Sequence, residues 1–272
     1  MFQIRQIASF DDPALAPYRS MRRSAEHRQH GIFVAEGDKV VKRLLADQRC
    51  GVVSVLLPPE RVAEFTPLLD ARAEHLDLFV AGKHVLEQLI GFALYQGVLA
   101  IGRIPPQPDL PTVLAAAPRP LLLVAVDGLT NAENVGALVR NCAAFHVHGI
   151  IVGETCASPW LRRAVRSSMG NIFQLPIIET ASLVLTLRGL RNAGVRMIAA
   201  HPHTDGRTLT QANMTNDCCL VMGSEGTGIS PEVLAVCDEV VAIRMPAAVD
   251  SLNVTSATSV FLYEANRQRG RM

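Results

Sequence analysis

From residue 121 onward, six short apolar runs alternate with helical stretches: Leu121–Val126, Gly149–Val152, Ile172–Ile178, Val195–Ala200, Cys219–Met222 and Val240–Ile243. Each run is long enough for one strand only. Alternation of this kind predicts an α/β unit with a mostly parallel sheet and flanking helices, and on this pattern alone the sheet is an open, doubly wound one. Its ligand then sits beyond the carboxyl ends of the strands.

Upstream, Val52–Leu57 reads as a buried strand and Leu78–Val80 as a short one, with helices over Lys39–Ala46 and Lys83–Leu89. These make a second, smaller α/β module. Between the two, Pro105, Pro106, Pro108, Pro111, Pro118 and Pro120 crowd one stretch, which excludes a continuous helix or a central strand. The expected organisation is therefore a domain over 1–104, a proline-rich linker over 105–120 and a larger domain over 121–272.

With 49% hydrophobic and 19% charged residues in 272, the chain fits a globular protein. No apolar run approaches the roughly 20 residues a membrane helix needs. Met1–Asp12 has no signal-peptide pattern, so no membrane partner and a cytoplasmic location are expected. Cys50, Cys142, Cys156, Cys218, Cys219 and Cys237 form no C-x-x-C pair and read as reduced core residues. His201 and His203 have no partner pair at ligand spacing, so they read as a solvated loop and no metal is expected.

The net charge of +1 announces no nucleic-acid partner. Locally, Arg19, Arg22, Arg23 and Arg28 stand against the single acid Glu26, and Arg162, Arg163 and Arg166 form a second cluster. Each cluster is either a solvated helix face or a set of phosphate contacts.

Three loops at strand ends carry the polar and glycine residues from which chemistry is built. In the first, Thr130-Asn131-Ala132-Glu133 matches a capping box after the Asp127-Gly128 turn. The helix it starts repeats Val135, Leu138, Val139 and Cys142 at helical spacing and displays Asn134 and Arg140. Its plain reading is a capped helix with one surface arginine. The second, Gly223-Ser224-Glu225-Gly226-Thr227-Gly228, allows positive φ and close backbone approach, but is neither a Walker A loop nor a dinucleotide fingerprint. In the third, Ser251 and Asn253 either cap the following helix or orient a ribose hydroxyl or the methionine end of a donor.

Taken together, Asn134-Val135-Gly136-Ala137-Leu138-Val139-Arg140-Asn141-Cys142-Ala143, Val221-Met222-Gly223-Ser224-Glu225-Gly226-Thr227-Gly228 and Ser251-Leu252-Asn253-Val254 resemble the three motifs of the SpoU (TrmH-like) family of RNA ribose methyltransferases, in order and spacing. The likeness covers Val124 to Tyr263. Phe33-Val34-Ala35-Glu36-Gly37 and the helix after it also resemble the family's L30e-like substrate-binding domain. Where the family has Ile-Pro-Met and then glycine, this chain has Ile243-Arg244-Met245 and Ala247.

The resemblance implies a deep trefoil knot in the C-terminal domain, a homodimer through it, and S-adenosyl-L-methionine as methyl donor. It implies that Gly223, Ile243, Met245 and Leu252 hold the donor, that Asn134 and Arg140 face the acceptor nucleotide, and that Glu225, Ser251 and Asn253 order the site. Arginine is a poor general base, its pKa lying above about 12. A clamp on the substrate phosphate and the developing alkoxide is the better role for Arg140. Only RNA offers a 2′-OH; ribosomal RNA is the expected substrate, and Arg22, Arg23, Arg28, Arg162 and Arg166 become candidate backbone contacts. The alternatives are a tRNA ribose methyltransferase and an RNA-binding protein without catalysis. A nucleotide-dependent oxidoreductase would need the missing dinucleotide fingerprint.

Overall fold

The computed structural model describes residues 2–21, 23–90, 97–202, 207–246 and 248–271. They form two compact units, Met1–Pro106 with Pro159–Gln174, and Gln107–Ser158 with Leu175–Met272.

The first unit is built on a mixed sheet of β1 (Phe2–Ile7), β2 (Ile32–Glu36), β3 (Val52–Leu57), β4 (Leu76–Ala81) and β5 (Leu99–Arg103), in the order β1-β4-β3-β5-β2. Strands β1, β4 and β3 are parallel, and β5 is antiparallel to both its neighbours. Leu15, Tyr18, Val34, Leu56, Phe79, Leu86 and Ile101 are buried in one cluster, and the Tyr18 hydroxyl meets the Ser54 hydroxyl at 2.8 Å. The sequence reading misses β1, whose four central residues are exposed and show no apolar periodicity.

Pro159–Gln174 joins this unit for identifiable reasons. Phe33 on β2 faces Gly102 on β5 and its ring occupies the place a Cβ would take there. The same ring packs on Trp160 and Phe173, with centroids 5.2 and 5.6 Å away. Glu36, at the end of β2, pairs with Arg162 at 3.0 Å and Arg166 at 3.4 Å. Arg43 donates to the Met169 carbonyl at 2.7 Å and to Asn171 Oδ1 at 3.0 Å.

The second unit carries β6 (Leu122–Val126), β7 (Gly149–Val152), β8 (Ile177–Glu179), β9 (Arg196–Ala200), β10 (Arg207–Thr208), β11 (Cys218–Met222) and β12 (Glu239–Ala242). They form one sheet in the order β10-β12-β9-β11-β6-β7-β8, every pairing parallel. Helices cover it, so β6, β7 and β11 are buried along their whole length. Leu123, Leu187, Met197, Cys219 and Val221 belong to the core beneath.

Some expected elements take a different form here. The strand expected over Ile172–Ile178 shrinks to β8, because Asn171–Phe173 is a 3-10 turn in the first unit. The proline-rich stretch contains a helix, Leu110–Ala116, capped by the Asp109 side chain on the Thr112 amide at 3.2 Å. Pro111 lies in its first turn, where no amide proton is required.

The helix Ala132–Ala144 starts at Asn131, one residue later than the expected Thr130 cap; Asn131 Oδ1 accepts from the amides of Glu133 (2.8 Å) and Asn134 (3.3 Å). A cap of this kind contributes about 1 kcal/mol. Val135, Leu138, Val139 and Cys142 are buried as their spacing predicts, each of the three larger side chains contributing about 1.5–3 kcal/mol. The terminal helix, Val254–Gln268, packs on this one, and Asn141 Nδ2 donates to the Thr255 carbonyl at 2.9 Å. Just beyond it, Arg269 donates to the carbonyls of Met214, Pro120, Leu121 and Asn216 at 2.7–3.0 Å.

Candidate functional site

The parallel register brings the carboxyl ends of three strands together. Val221 on β11 lies opposite Ala199 on β9, and Ala200 opposite Val241 on β12. The loops that leave these ends enclose a cavity of about 330 Å³, within the range of small-molecule sites. Its wall comes from Ala200–Pro202, Met222–Gly228, Ile243, Met245, Asp250–Leu252, Val254, Ala257 and Phe261.

The glycine loop is folded tightly on itself. Ser224 and Gly228 exchange two backbone hydrogen bonds of 3.0 Å, and the Ser224 hydroxyl meets the Thr227 hydroxyl at 2.8 Å. A Cβ on Gly223 would collide with the backbone of Gly228 and Ile229. Only glycine fits there, and the bare backbone it leaves is part of the cavity wall.

Glu225, near the tip of this loop, gathers the other two motifs. Its Oε1 accepts from Asn134 Nδ2 and from Asn253 Nδ2, both at 2.6 Å. Asn253 uses its other atom as well, since Oδ1 caps the terminal helix by accepting from the Thr255 amide at 2.9 Å. Of the two readings of Asn253, the structure shows the helix cap, and the side-chain amide is held by Glu225. Ser251 forms no such cap and lines the cavity instead.

Gly223, Ile243, Met245 and Leu252 all line the cavity, as do Glu225 and Ser251. Arg244 does not; it is exposed between two lining residues. Ala247 and His203 lie outside the described residues. Arg140 is exposed on its helix, has no hydrogen bond or ion pair among the described residues, and is not part of the wall. Six helical positions place it about 9 Å along the axis from Asn134 and on another face.

Among the expected phosphate contacts, Arg162 and Arg166 are engaged with Glu36. Arg23 is 81% exposed, with only a 4.0 Å approach to Glu26. Arg28 also has an interaction partner, and Arg22 lies outside the described residues. Arg19 donates to the carbonyls of Phe10 and Asp12, at 2.7 and 2.8 Å, and holds local structure. All six cysteines are free thiols, and no cluster of metal-ligating side chains occurs among the described residues. Among these residues no helix is long and apolar enough to cross a membrane.

The sequence reading missed Ala200, His201 and Pro202, having taken His201 for a solvated loop residue. The rule that ligands gather beyond parallel strand ends could have found them, because Ala200 ends β9 and His201 and Pro202 directly follow it.

The cavity's composition suits an adenosyl sulfonium donor. Met222, Ile243, Leu252 and Phe261 offer apolar surface for a purine, the glycine loop offers backbone polar groups, and Glu225 and Asp250 offer carboxylates for cationic groups.

The sequence profile of the SpoU rRNA methylase family matches residues 121–263. The chain is 32% identical over 271 residues to an uncharacterised tRNA/rRNA methyltransferase of Mycobacterium tuberculosis (strain CDC 1551 / Oshkosh), covering 97% of this chain and 92% of the relative. It is 36% identical over 208 residues to the 23S rRNA (guanosine-2′-O-)-methyltransferase RlmB of Yersinia pestis, covering 75% of this chain and 84% of the relative. Among solved structures, an RNA 2′-O ribose methyltransferase superposes with a TM-score of 0.78 at 25% identity, covering 97% of this chain and 99% of the other. The AdoMet-bound rRNA methyltransferase of Sinorhizobium meliloti shares the fold, with a TM-score of 0.82 at 24% identity over 97% of this chain and 98% of the other. By family profile and by these relatives, the chain belongs to the SpoU rRNA methylase family.

Proposed function

We propose that the chain transfers a methyl group from S-adenosyl-L-methionine to a ribose 2′-OH of large-subunit ribosomal RNA. The observation that carries this reading is the Glu225 carboxylate, which fastens Asn134 and Asn253 beside a glycine-walled cavity. The relative of Yersinia pestis, named for 2′-O methylation of 23S rRNA, supports the choice of position and RNA.

Bound in the cavity, the donor supplies an electrophilic methyl group. The chain's own work is alignment of donor and acceptor oxygen for in-line displacement, and removal of a weakly acidic proton. Gly223, Ile243, Met245 and Leu252 hold the donor. Glu225 fixes the two asparagine amides, Ser251 adds a hydroxyl at the wall, and Asn134 faces the acceptor. Arg140, exposed and without a side-chain partner among the described residues, clamps the incoming phosphate and stabilises the alkoxide as charge develops.

The same reading makes the first unit an L30e-like RNA-binding domain, with Arg23 and Arg28 among its phosphate contacts. It gives the second unit a trefoil-knotted path and a homodimer interface, and places the enzyme in the cytoplasm. Support for the interface comes from Val249, Leu252, Val260 and Tyr263, all large, apolar or aromatic, and 38–52% exposed on the terminal helix and the loop before it.

The test is transfer of radiolabelled methyl from S-adenosyl-L-methionine to unmodified total RNA, followed by nuclease digestion to nucleosides. Ribose-methylated nucleosides from large-subunit rRNA are expected. Label confined to tRNA would replace the substrate, label on bases would overturn the reaction, and donor binding with no transfer to any RNA would favour a binding protein.

A further inference from the structure

The glycine loop forms one wall of the cavity, yet its own internal bonds do not fix where it stands. Besides the bonds of Glu225 to Asn134 and Asn253 near its tip, the loop is held at its two ends by Asp127, the residue after β6. Its backbone N–H donates to the Met222 carbonyl at 2.9 Å, immediately before the loop begins. Its carboxylate Oδ2 accepts from the Ser230 N–H at 2.8 Å and from the Ser230 hydroxyl at 2.7 Å, immediately after the loop ends.

Ser230 stands at the N-cap position of a short helix, Pro231–Leu234, but its hydroxyl makes no cap bond there. It is turned toward Asp127 instead. Asp127 is buried, at 8% exposure, so the two bonds to its carboxylate are partly shielded from water and strengthened by charge. Gly128 at φ +66° completes the contact, with the Ser224 side chain 3.7 Å from where its Cβ would be. Asp127, Gly128 and Ser230 do not line the cavity, so Asp127 acts on the site through the loop.

We propose that Asp127 is a positioning residue of the donor site, holding the loop 223–229 from both ends so that Gly223 and Glu225 stand where the donor and the two asparagines require them. The role rests on the donor reading of the cavity given above. Its consequence is selective. Loosening the clamp weakens donor binding, because the wall moves, while donor saturation restores the rate once the loop is driven back into place.

The experiment combines hydrogen exchange of the loop amides with steady-state kinetics and calorimetric binding of S-adenosyl-L-methionine, on full-length protein. Asp127→Ala is expected to speed exchange over 223–229 at least tenfold and to raise the donor KM at least tenfold, with kcat within threefold of wild type. Asp127→Asn, which keeps a neutral acceptor, falls between. Should Asp127→Ala fail to fold, Ser230→Ala removes one of the two carboxylate bonds and is expected to give about a threefold change in the same direction, restored by Ser230→Thr. Unchanged loop exchange in these variants, or a fall in kcat at unaltered donor KM, overturns the proposal. A wild-type protein that binds no S-adenosyl-L-methionine overturns the methyltransferase reading instead, and loop exchange then decides the positioning role alone.

Discussion

Asn134, in the first turn of the helix Ala132–Ala144, and Asn253, the N-cap of the terminal helix, donate to one and the same oxygen, Glu225 Oε1, each at 2.6 Å. A carboxylate oxygen accepts about two such bonds, so this atom is fully used in holding the two amides. The other oxygen, Oε2, has no hydrogen bond among the described residues. Three motifs that lie far apart in the sequence thus meet at a single side chain.

Replacing Glu225 by alanine releases both asparagines at once. Single-turnover methylation is expected to fall about 100-fold, in the range of other lost preorganised groups. Stability should shift by only about 0.5 kcal/mol, since the residue is exposed. Glu225→Gln keeps an acceptor and should lose less. Wild-type rates in Glu225→Ala would remove the residue from the site.

Arg140→Lys preserves charge but not the planar fork. Methylation is expected to drop by orders of magnitude while donor affinity, measured by calorimetry, stays unchanged. Retention of near-normal turnover would exclude the clamp.

Gly223→Ala places a methyl group against the backbone of Gly228 and Ile229. The loop must open to admit it. Donor affinity is expected to fall tenfold or more, which is about 1.4 kcal/mol, and unaltered binding would show that the donor does not rest on this wall.

Two histidines set an acid limit on stability. Burial, ahead of neighbouring charges, holds the imidazoles of His27 and His148 below their ordinary pKa. His148 Nδ1 accepts from the Leu122 amide at 3.1 Å, which requires the neutral ring. A folded pKa below the unfolded value means stability is full above about pH 6.5 and declines as pH falls toward the depressed pKa values, because the unfolded chain binds the protons first. Urea unfolding at pH 7.5 and pH 5.5 should show this loss. His148→Asn, which offers an oxygen near Nδ1, should reduce the slope; an unchanged slope would assign the effect elsewhere.

The site was legible where its signals are local. A helix start within one residue of Thr130, the helical spacing from Val135 to Cys142 and the glycine loop each rest on chemistry within a few neighbouring residues. What escaped was decided by distant partners or by exact position. Counting prolines hid the helix Leu110–Ala116, because Pro111 falls in the one turn that tolerates it. Charge counting made Arg162 and Arg166 look free, since nothing in their vicinity announces Glu36. Ile172 and Phe173 read as strand residues because apolar character does not say which core will bury it.

The Phe33 ring and its two aromatic neighbours have a bearing on how such a protein can be taken apart. The polypeptide passes from one unit to the other after Pro106, returns at Pro159 and leaves again after Gln174. A fragment starting at Gln107 would therefore still carry Trp160 and Phe173, stripped of the Phe33 surface that covers them. Gene fusion or loss at a single breakpoint cannot exchange the N-terminal unit cleanly, and any lineage that discards it must also rewrite Pro159–Gln174 with residues that tolerate water.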